Sequence, residues 1–239
     1  MRQVLGLDDG HLVPVEAPGG GRVLLAPATA AAFVSLADSA QQEGIALKVV
    51  SGYRGFERQL LIWNAKARGE RPVYADDGAR LDLAALDERE RVLAILRWSA
   101  LPGASRHHRG TDLDVCDEAA MPAGYQVQLS AAECGGQGVF RRLHDWLDRC
   151  IDEASAMGFV RPYGQDRGGV APEPWHLSFE SEAEGFERCW DGDAYRQWIS
   201  DQPLELKGAV LANFDEIAER FLLDRRLAGS AVSAASPIG

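Results

Sequence analysis

Apolar residues recur at helical spacing along much of this chain, interrupted by short stretches where apolar and polar side chains alternate. Ala32, Phe33, Leu36, Ala37 and Ala40 form one stripe, which predicts a helix capped by Thr29, running to about Glu43 and stopped by Gly44. Residues 45–50 read as a strand that delivers Ser51, Tyr53 and Arg54 at its end. A second helix follows from Gly55 to about Arg68, with Gln59 on its first turn. Asp87 and Glu90 have capping-box spacing and open a third helix through Leu101, apolar over more than half its surface. A fourth runs from about Val139 to Met157 and ends at Gly158, with a short strand at 159–163. Two more helical stretches, about 192–200 and 205–227, are expected to pack on the outside of the domain.

Two segments alternate strictly. Leu113 and Val115 interleave with Asp112 and Asp114, while Trp175, Leu177 and Phe179 interleave with His176 and Ser178. In both strands the titratable side chains lie opposite the apolar side, so one face of a sheet is expected to line a cleft. The segment 117–138, rich in Gly, Ala and polar residues, is a long connection that fits a specificity lid and surface padding equally well. Residues 1–21, closing on Pro18-Gly-Gly-Gly21, read as an extended lead-in. One domain is expected over 22–181, a helical extension over 182–228, and a disordered Ala/Ser-rich tail over 229–239.

At 239 residues the chain holds one well-buried core. A net charge of −11 and a pI near 4.9 argue against nucleic acid as a partner, which would require a basic face. No apolar run approaches the ~20 residues of a membrane span. The N-terminus lacks an apolar leader, which favours a cytoplasmic location, with an exported and processed protein as the alternative. Cys116, Cys134, Cys150 and Cys189 form no Cys-x-x-Cys pair, which argues against a zinc–thiolate site; buried thiols are expected. Locally the charge reverses, with Arg54, Arg58, Arg106 and Arg109 in the stretches that carry the candidate chemistry; they fit a basic cluster that receives a carboxylate, and Arg58, Arg106 and Arg109 fit scattered surface arginines equally well.

That chemistry rests on His107, Asp114 and His176, with Glu173 three residues before the last. Two imidazoles and a carboxylate are a set that zinc accepts while keeping a fourth position open to water. Glu173, bracketed by Pro172 and Pro174, is the candidate general base, and Glu180 is the less well placed alternative. The alternation leaves Asp112 as a competitor for Asp114, since both share a face. His108 is a second competitor, read as a surface or supporting group. His11 and His144 have no motif around them and read as structural.

Three blocks in order, Ser51-Gly-Tyr53-Arg54 with Gln59, Ser105-x-His107-x-x-Gly110-x-x-x-Asp114, and Glu173-x-Trp175-His176, resemble the signature of VanY-type D-alanyl-D-alanine carboxypeptidases. These belong to the zinc peptidases that include lysostaphin-like enzymes and the hedgehog domain. The resemblance implies an α+β single domain, a small mainly antiparallel sheet flanked by helices. It implies one zinc per chain on His107, Asp114 and His176, and so selects Asp114 over Asp112. It further implies Glu173 as base, Arg54 as oxyanion or carboxylate partner, and Ser105, Gln59 and Tyr53 as substrate-binding positions. Trp175 is either a pocket wall or a packing residue. The implied substrate is a peptidoglycan-derived peptide ending in D-alanine. D,D-dipeptidase, L,D-carboxypeptidase and endopeptidase activities, or a non-catalytic zinc-stabilised binding module, are the alternatives.

Overall fold

The computed structural model describes residues 1–16 and 21–222. Two strands, β1 (Val13–Glu16) and β2 (Arg22–Leu25), pair antiparallel. Helix α1 (Pro27–Gln42) leads to β3 (Leu47–Ser51), then α2 (Phe56–Ala67) and α3 (Glu88–Leu96). A 3₁₀ turn at Arg106–Arg109 precedes β4 (Asp112–Asp117). After α4 (Ala131–Cys134) and α5 (Arg141–Asp152) come β5 (Phe159–Val160) and β6 (His176–Phe179). Four α-helices, α6 (Glu180–Glu187), α7 (Gly192–Ser200), α8 (Lys207–Ala212) and α9 (Phe214–Ile217), and a π-helical turn at Ala218–Leu222 close the described chain. The second sheet has the order β3-β4-β6-β5 and is antiparallel throughout, so the expected α+β architecture holds.

Alternation decides how this sheet sits. Leu113, Val115 and Leu177 point into a core shared with Phe33 and Leu36 of α1, Leu47 and Val49 of β3, and Leu143 and Leu147 of α5. Asp112, Asp114, His176 and Ser178 therefore emerge on the opposite face, yet all four are buried. A register irregularity between Val49 and Ser51 sets Ser51 opposite Asp114 at the end of β3. Gly110 closes the 3₁₀ turn with φ +75°, and a Cβ there would lie 2.4 Å from Leu12 Cδ2 and 3.0 Å from the Ala26 nitrogen. A side chain at this point would push the turn that carries His107 away from β2.

Several boundaries depart from expectation. Thr29 is not the cap of α1: Ala26 is, and the Thr29 amide and hydroxyl both donate to Glu182 of α6, at 2.9 and 2.7 Å. A carboxylate from a distant helix thus satisfies a donor that a local cap would have served. The capping box at Asp87 and Glu90 is present, but α3 stops at Leu96. Pro102 disfavours helical geometry at Leu101, and the Ala100 carbonyl, already outside the helix, accepts from Gln59. Far from being an extended lead-in, the first 16 residues contribute a turn and β1, with Val4 and Leu5 buried. Helix α6 has only Ala183 buried, so no apolar stripe announced it. The connection 117–138 is tied down by buried Glu133, which accepts from Tyr125, Gln128 and Ser130. Cys116 and Cys134 are buried as expected, but Cys150 is half-buried and Cys189 exposed. The tail assigned to 229–239 lies outside the described residues.

The C-terminal helices are not an outer layer. Tyr195, Ile199, Val210, Phe214 and Ile217 share a second core with Leu5, Phe56, Leu60 and Trp63, and with Val92, Ile95 and Leu96. This core backs α2, the helix that carries Gln59. Replacing Phe214 with alanine is expected to cost about 3–5 kcal/mol of folding stability, read from the midpoint of a denaturant titration. A cost below about 1 kcal/mol would mean that these helices merely rest on the surface.

Candidate metal centre

Asp114 of β4 faces His176 of β6 across the ladder, and the 3₁₀ turn before β4 swings His107 over the same point. His107, Asp114 and His176 each offer a ligand atom, all within 4.8 Å of one another, and all three are buried. His107 Nε2 lies 3.3 Å from Asp114 Oδ2, and His176 Nδ1 lies 3.1 Å from Asp114 Oδ1. Ligand atoms around a tetrahedral zinc stand roughly 3.3 Å apart, given bond lengths of about 2.0–2.1 Å. The donor types, the spacing and the burial fit a zinc ion.

The imidazoles are oriented from behind. His107 Nδ1 donates to the Gly52 carbonyl at 2.9 Å, which leaves Nε2 with its lone pair toward Asp114. The two rings meet edge-on with centroids 4.9 Å apart, and the Tyr163 ring abuts His176 at 5.0 Å. Burial lowers the His107 pKa, opposed by Asp114. Burial also works against charge on His176, but hydrogen bonds to Asp112 and Asp114 outweigh it and push the ring up to about 10. Asp114 is held well below the usual carboxylate range, its burial overcome by the two histidines. This attraction is what would gather the donors around a cation.

Glu173 sits at the rim, with Oε2 3.6 Å from His176 Nδ1. Its backbone is fixed at both ends, its amide donating to the Tyr163 carbonyl and its carbonyl accepting from His176. Burial, with the nearby Asp114 charge, raises its pKa to about 7 against the pull of His176, Lys66 and Arg54. A carboxyl poised there exchanges protons readily at neutral pH.

Arg54 is held by its side chain and its backbone. Its Nη1 donates to Gln59 Oε1 at 2.8 Å and its Nη2 to Ser51 Oγ at 3.0 Å, while its amide donates to the His107 carbonyl. Burial lowers its pKa, and Asp114 and Glu173 oppose that. One N–H on each terminal nitrogen remains for another acceptor.

The other residues singled out from sequence fall in different places. Gln59 has no exposed surface: it spends its carbonyl on Arg54 and its amide on Ala100, so it orients the guanidinium rather than offering an open group to a ligand. The Tyr53 hydroxyl donates to the Gly6 carbonyl at 3.3 Å. Ser105 is buried and its hydroxyl does not cap the turn that follows. Trp175 is buried with 4% exposure, which leaves little ring for a ligand. The expected basic cluster is split. Arg106 and Arg109 turn inward to Glu187, and Arg106 also to Asp112, whereas Arg54 faces the centre.

Three neighbours surround the centre: the sequence offers Asp112 as a rival ligand and His108 as a surface or supporting group, and leaves Lys66 unread. His108 is fully buried, donating through Nδ1 to the Arg54 carbonyl and accepting through Nε2 from the Gly103 amide, so it anchors the Arg54 segment. Asp112 bonds His176 Nε2 at 3.0 Å. Lys66, whose pKa burial lowers to about 8, feels Glu173 and Arg54. It follows Gln59 by seven residues, the two-turn repeat that puts both on one helix face, and that spacing was a readable signal.

Residues 22–182 match the VanY family, described as D-alanyl-D-alanine carboxypeptidase. A D-alanyl-D-alanine carboxypeptidase of Enterococcus faecalis is 27% identical over 148 residues, covering 60% of this chain and 44% of that protein. An uncharacterized protein of Haemophilus influenzae is 45% identical over 91 residues, 38% of this chain and 62% of that one. The match therefore spans less than two thirds of the length of either relative. Among solved structures, a variant of the vancomycin-resistance D,D-pentapeptidase VanY in complex with Zn(II) is 20% identical, covering 85% of this chain and 92% of that chain at a TM-score of 0.48. The LdcB LD-carboxypeptidase is 23% identical, covering 84% and 77%, also at 0.48. The family match takes in Arg54, His107, Asp114, Glu173 and His176 together, and on that basis the chain belongs to the VanY family of D-alanyl-D-alanine carboxypeptidases.

Proposed function

We propose that the protein is a zinc-dependent carboxypeptidase that hydrolyses the bond to a terminal D-alanine in peptides derived from peptidoglycan or its precursors. The observation that carries this reading is the convergence of His107, Asp114 and His176 on one buried point, with the Glu173 carboxyl beside it. Those three residues would hold the metal. Zinc so held supplies Lewis acidity and lowers the pKa of a bound water toward 7.

The protein's own groups divide the remaining work. Glu173 takes a proton from the attacking water and passes it to the leaving amine, and a carboxyl raised to about 7 suits both transfers. Arg54 presents its spare N–H groups to the carbonyl oxygen as negative charge develops, or to the terminal carboxylate of the peptide. Its ties to Gln59 and Ser51 fix the guanidinium beforehand, so little reorganisation is needed when charge appears. Lys66 adds a second positive charge on the same side. An anionic peptide terminus would thus meet local cations on a protein whose net charge is −11.

Incubation of the zinc-loaded protein with a pentapeptide ending in D-Ala-D-Ala, a tetrapeptide and free D-Ala-D-Ala, followed by mass analysis of the products, tests the reading. Release of one D-alanine from the pentapeptide is expected. No cleavage of any of the three would sink the proposal. Replacing Glu173 with alanine is expected to lower kcat by about 10²–10⁴-fold with zinc content unchanged; normal turnover would remove it as the proton carrier. Replacing His176 with alanine, or dialysis against a zinc chelator, is expected to abolish both bound metal and hydrolysis. A stoichiometric zinc content in the His176→Ala protein would refute the ligand assignment.

A further inference from the structure

The ring of His176 lies between two carboxylates. Asp112 and Asp114, two residues apart on β4, share a face, and the ring of His176 is bracketed by them: Nδ1 stands 3.1 Å from Asp114 Oδ1 and Nε2 stands 3.0 Å from Asp112 Oδ1. A neutral imidazole carries one N–H and one lone pair, so it donates to only one of them. The side that must offer a lone pair to a cation is the side of Asp114 and His107. The ring proton then belongs on Nε2 and needs a buried acceptor.

We propose that Asp112 is a positioning residue that sets His176 as the Nε2–H tautomer and so points Nδ1 at the metal centre, an inference that rests on the zinc reading above. Asp112 is suited to this by its own restraints. It has no exposed surface, its Oδ1 also accepts from Arg106 Nε at 2.7 Å, and its Oδ2 accepts from the Thr111 hydroxyl at 2.6 Å. Arg106 is in turn held by Ser178 at 2.8 Å and by Glu187. Neutralising Arg106 therefore does not require Asp112, because Glu187 already supplies a carboxylate. What Asp112 alone supplies is the acceptor behind His176. The two histidines consequently offer opposite nitrogens: His107 gives Nε2 with a backbone carbonyl behind it, and His176 gives Nδ1 with a carboxylate behind it. A carboxylate partner increases ligand basicity more than a neutral carbonyl does, so His176 is the stronger of the two imidazole donors.

The test compares Asp112→Asn, close to isosteric and chosen to spare the fold, with Glu187→Gln, which weakens the same ion-pair network without touching His176. Zinc affinity is measured by competition with a chromophoric chelator, and the His176 ring by ¹⁵N NMR of the cadmium-loaded protein. Asp112→Asn is expected to weaken zinc binding about 10–100-fold, and Glu187→Gln by less than about 2-fold on the same scale. In the wild type, metal coupling is expected at His176 Nδ1 and a protected proton at Nε2. Equal losses in the two variants, unchanged affinity in Asp112→Asn, or metal on Nε2 would each overturn the role of Asp112. A wild-type protein that binds neither metal would overturn the zinc reading as well, so the two failures are separable.

Discussion

The backbone hydrogen bonds that pair β4 with β6 set Leu113 opposite Leu177 and Asp114 opposite His176. Because side chains alternate with a period of two, a slip of one residue would send Leu177 to the polar face and His176 into the apolar core. The apolar half of the pattern thus fixes the polar half. Leu113, Val115 and Leu177 have almost no exposed surface, and their burial against α1 and α5 leaves a single register in which the site residues meet. The centre is assembled by packing on the far side of the sheet, and its own polar groups do not have to drive the pairing.

Those polar groups would otherwise oppose folding. Asp112, Asp114 and Glu173 crowd a small region, and an unpaired buried ion costs several kcal/mol. The structure meets this cost unequally. Asp112 has the Arg106 guanidinium, which itself is buried, and Asp114 has two histidines. Both carboxylates are kept ionised. Glu173 is left with more distant compensation from His176, Lys66 and Arg54, so burial prevails and its pKa rises to about 7. Three acids of similar intrinsic strength are separated into two held as anions and one pushed up to about 7 by where the cations stand.

The strands were legible because alternation is a short-range signal: residues 112–115 and 175–179 each declared their faces without reference to the other. The capping box at Asp87 was legible for the same reason. What escaped was long-range. Thr29 looks like a helix cap in sequence, yet Glu182, 153 residues away, takes its hydrogen bonds. Gln59 carries a polar amide that suits a ligand, and only the approach of Ala100 and Arg54 shows that its hydrogen-bonding capacity is already used. The stripes at 192–200 and 205–227 were visible, but nothing local told that they complete the core behind α2. Alternation alone also left Asp112 and Asp114 equivalent. The pairing of Asp114 with His176, and of Asp112 with Ser178, separates them by setting one at the centre and the other behind it.

Charge shows the same division between local pattern and tertiary placement. Four arginines in the motif-bearing stretches, Arg54, Arg58, Arg106 and Arg109, suggested one basic patch on an acidic protein. Arg106 and Arg109 instead share Glu187 of α6 and are buried, so their charge is spent inside. Arg58 is exposed on α2. Arg54 remains at the centre, joined by Lys66 from the same helix face as Gln59. Both cations are largely removed from water, where a guanidinium attracts an anion more strongly than it would on an open surface. Long-range attraction of an anionic peptide is not expected from a chain of net charge −11. On the carboxypeptidase reading proposed above, recognition would be short-range and would rest on a guanidinium fixed in advance, as the Ser51 and Gln59 contacts fix Arg54.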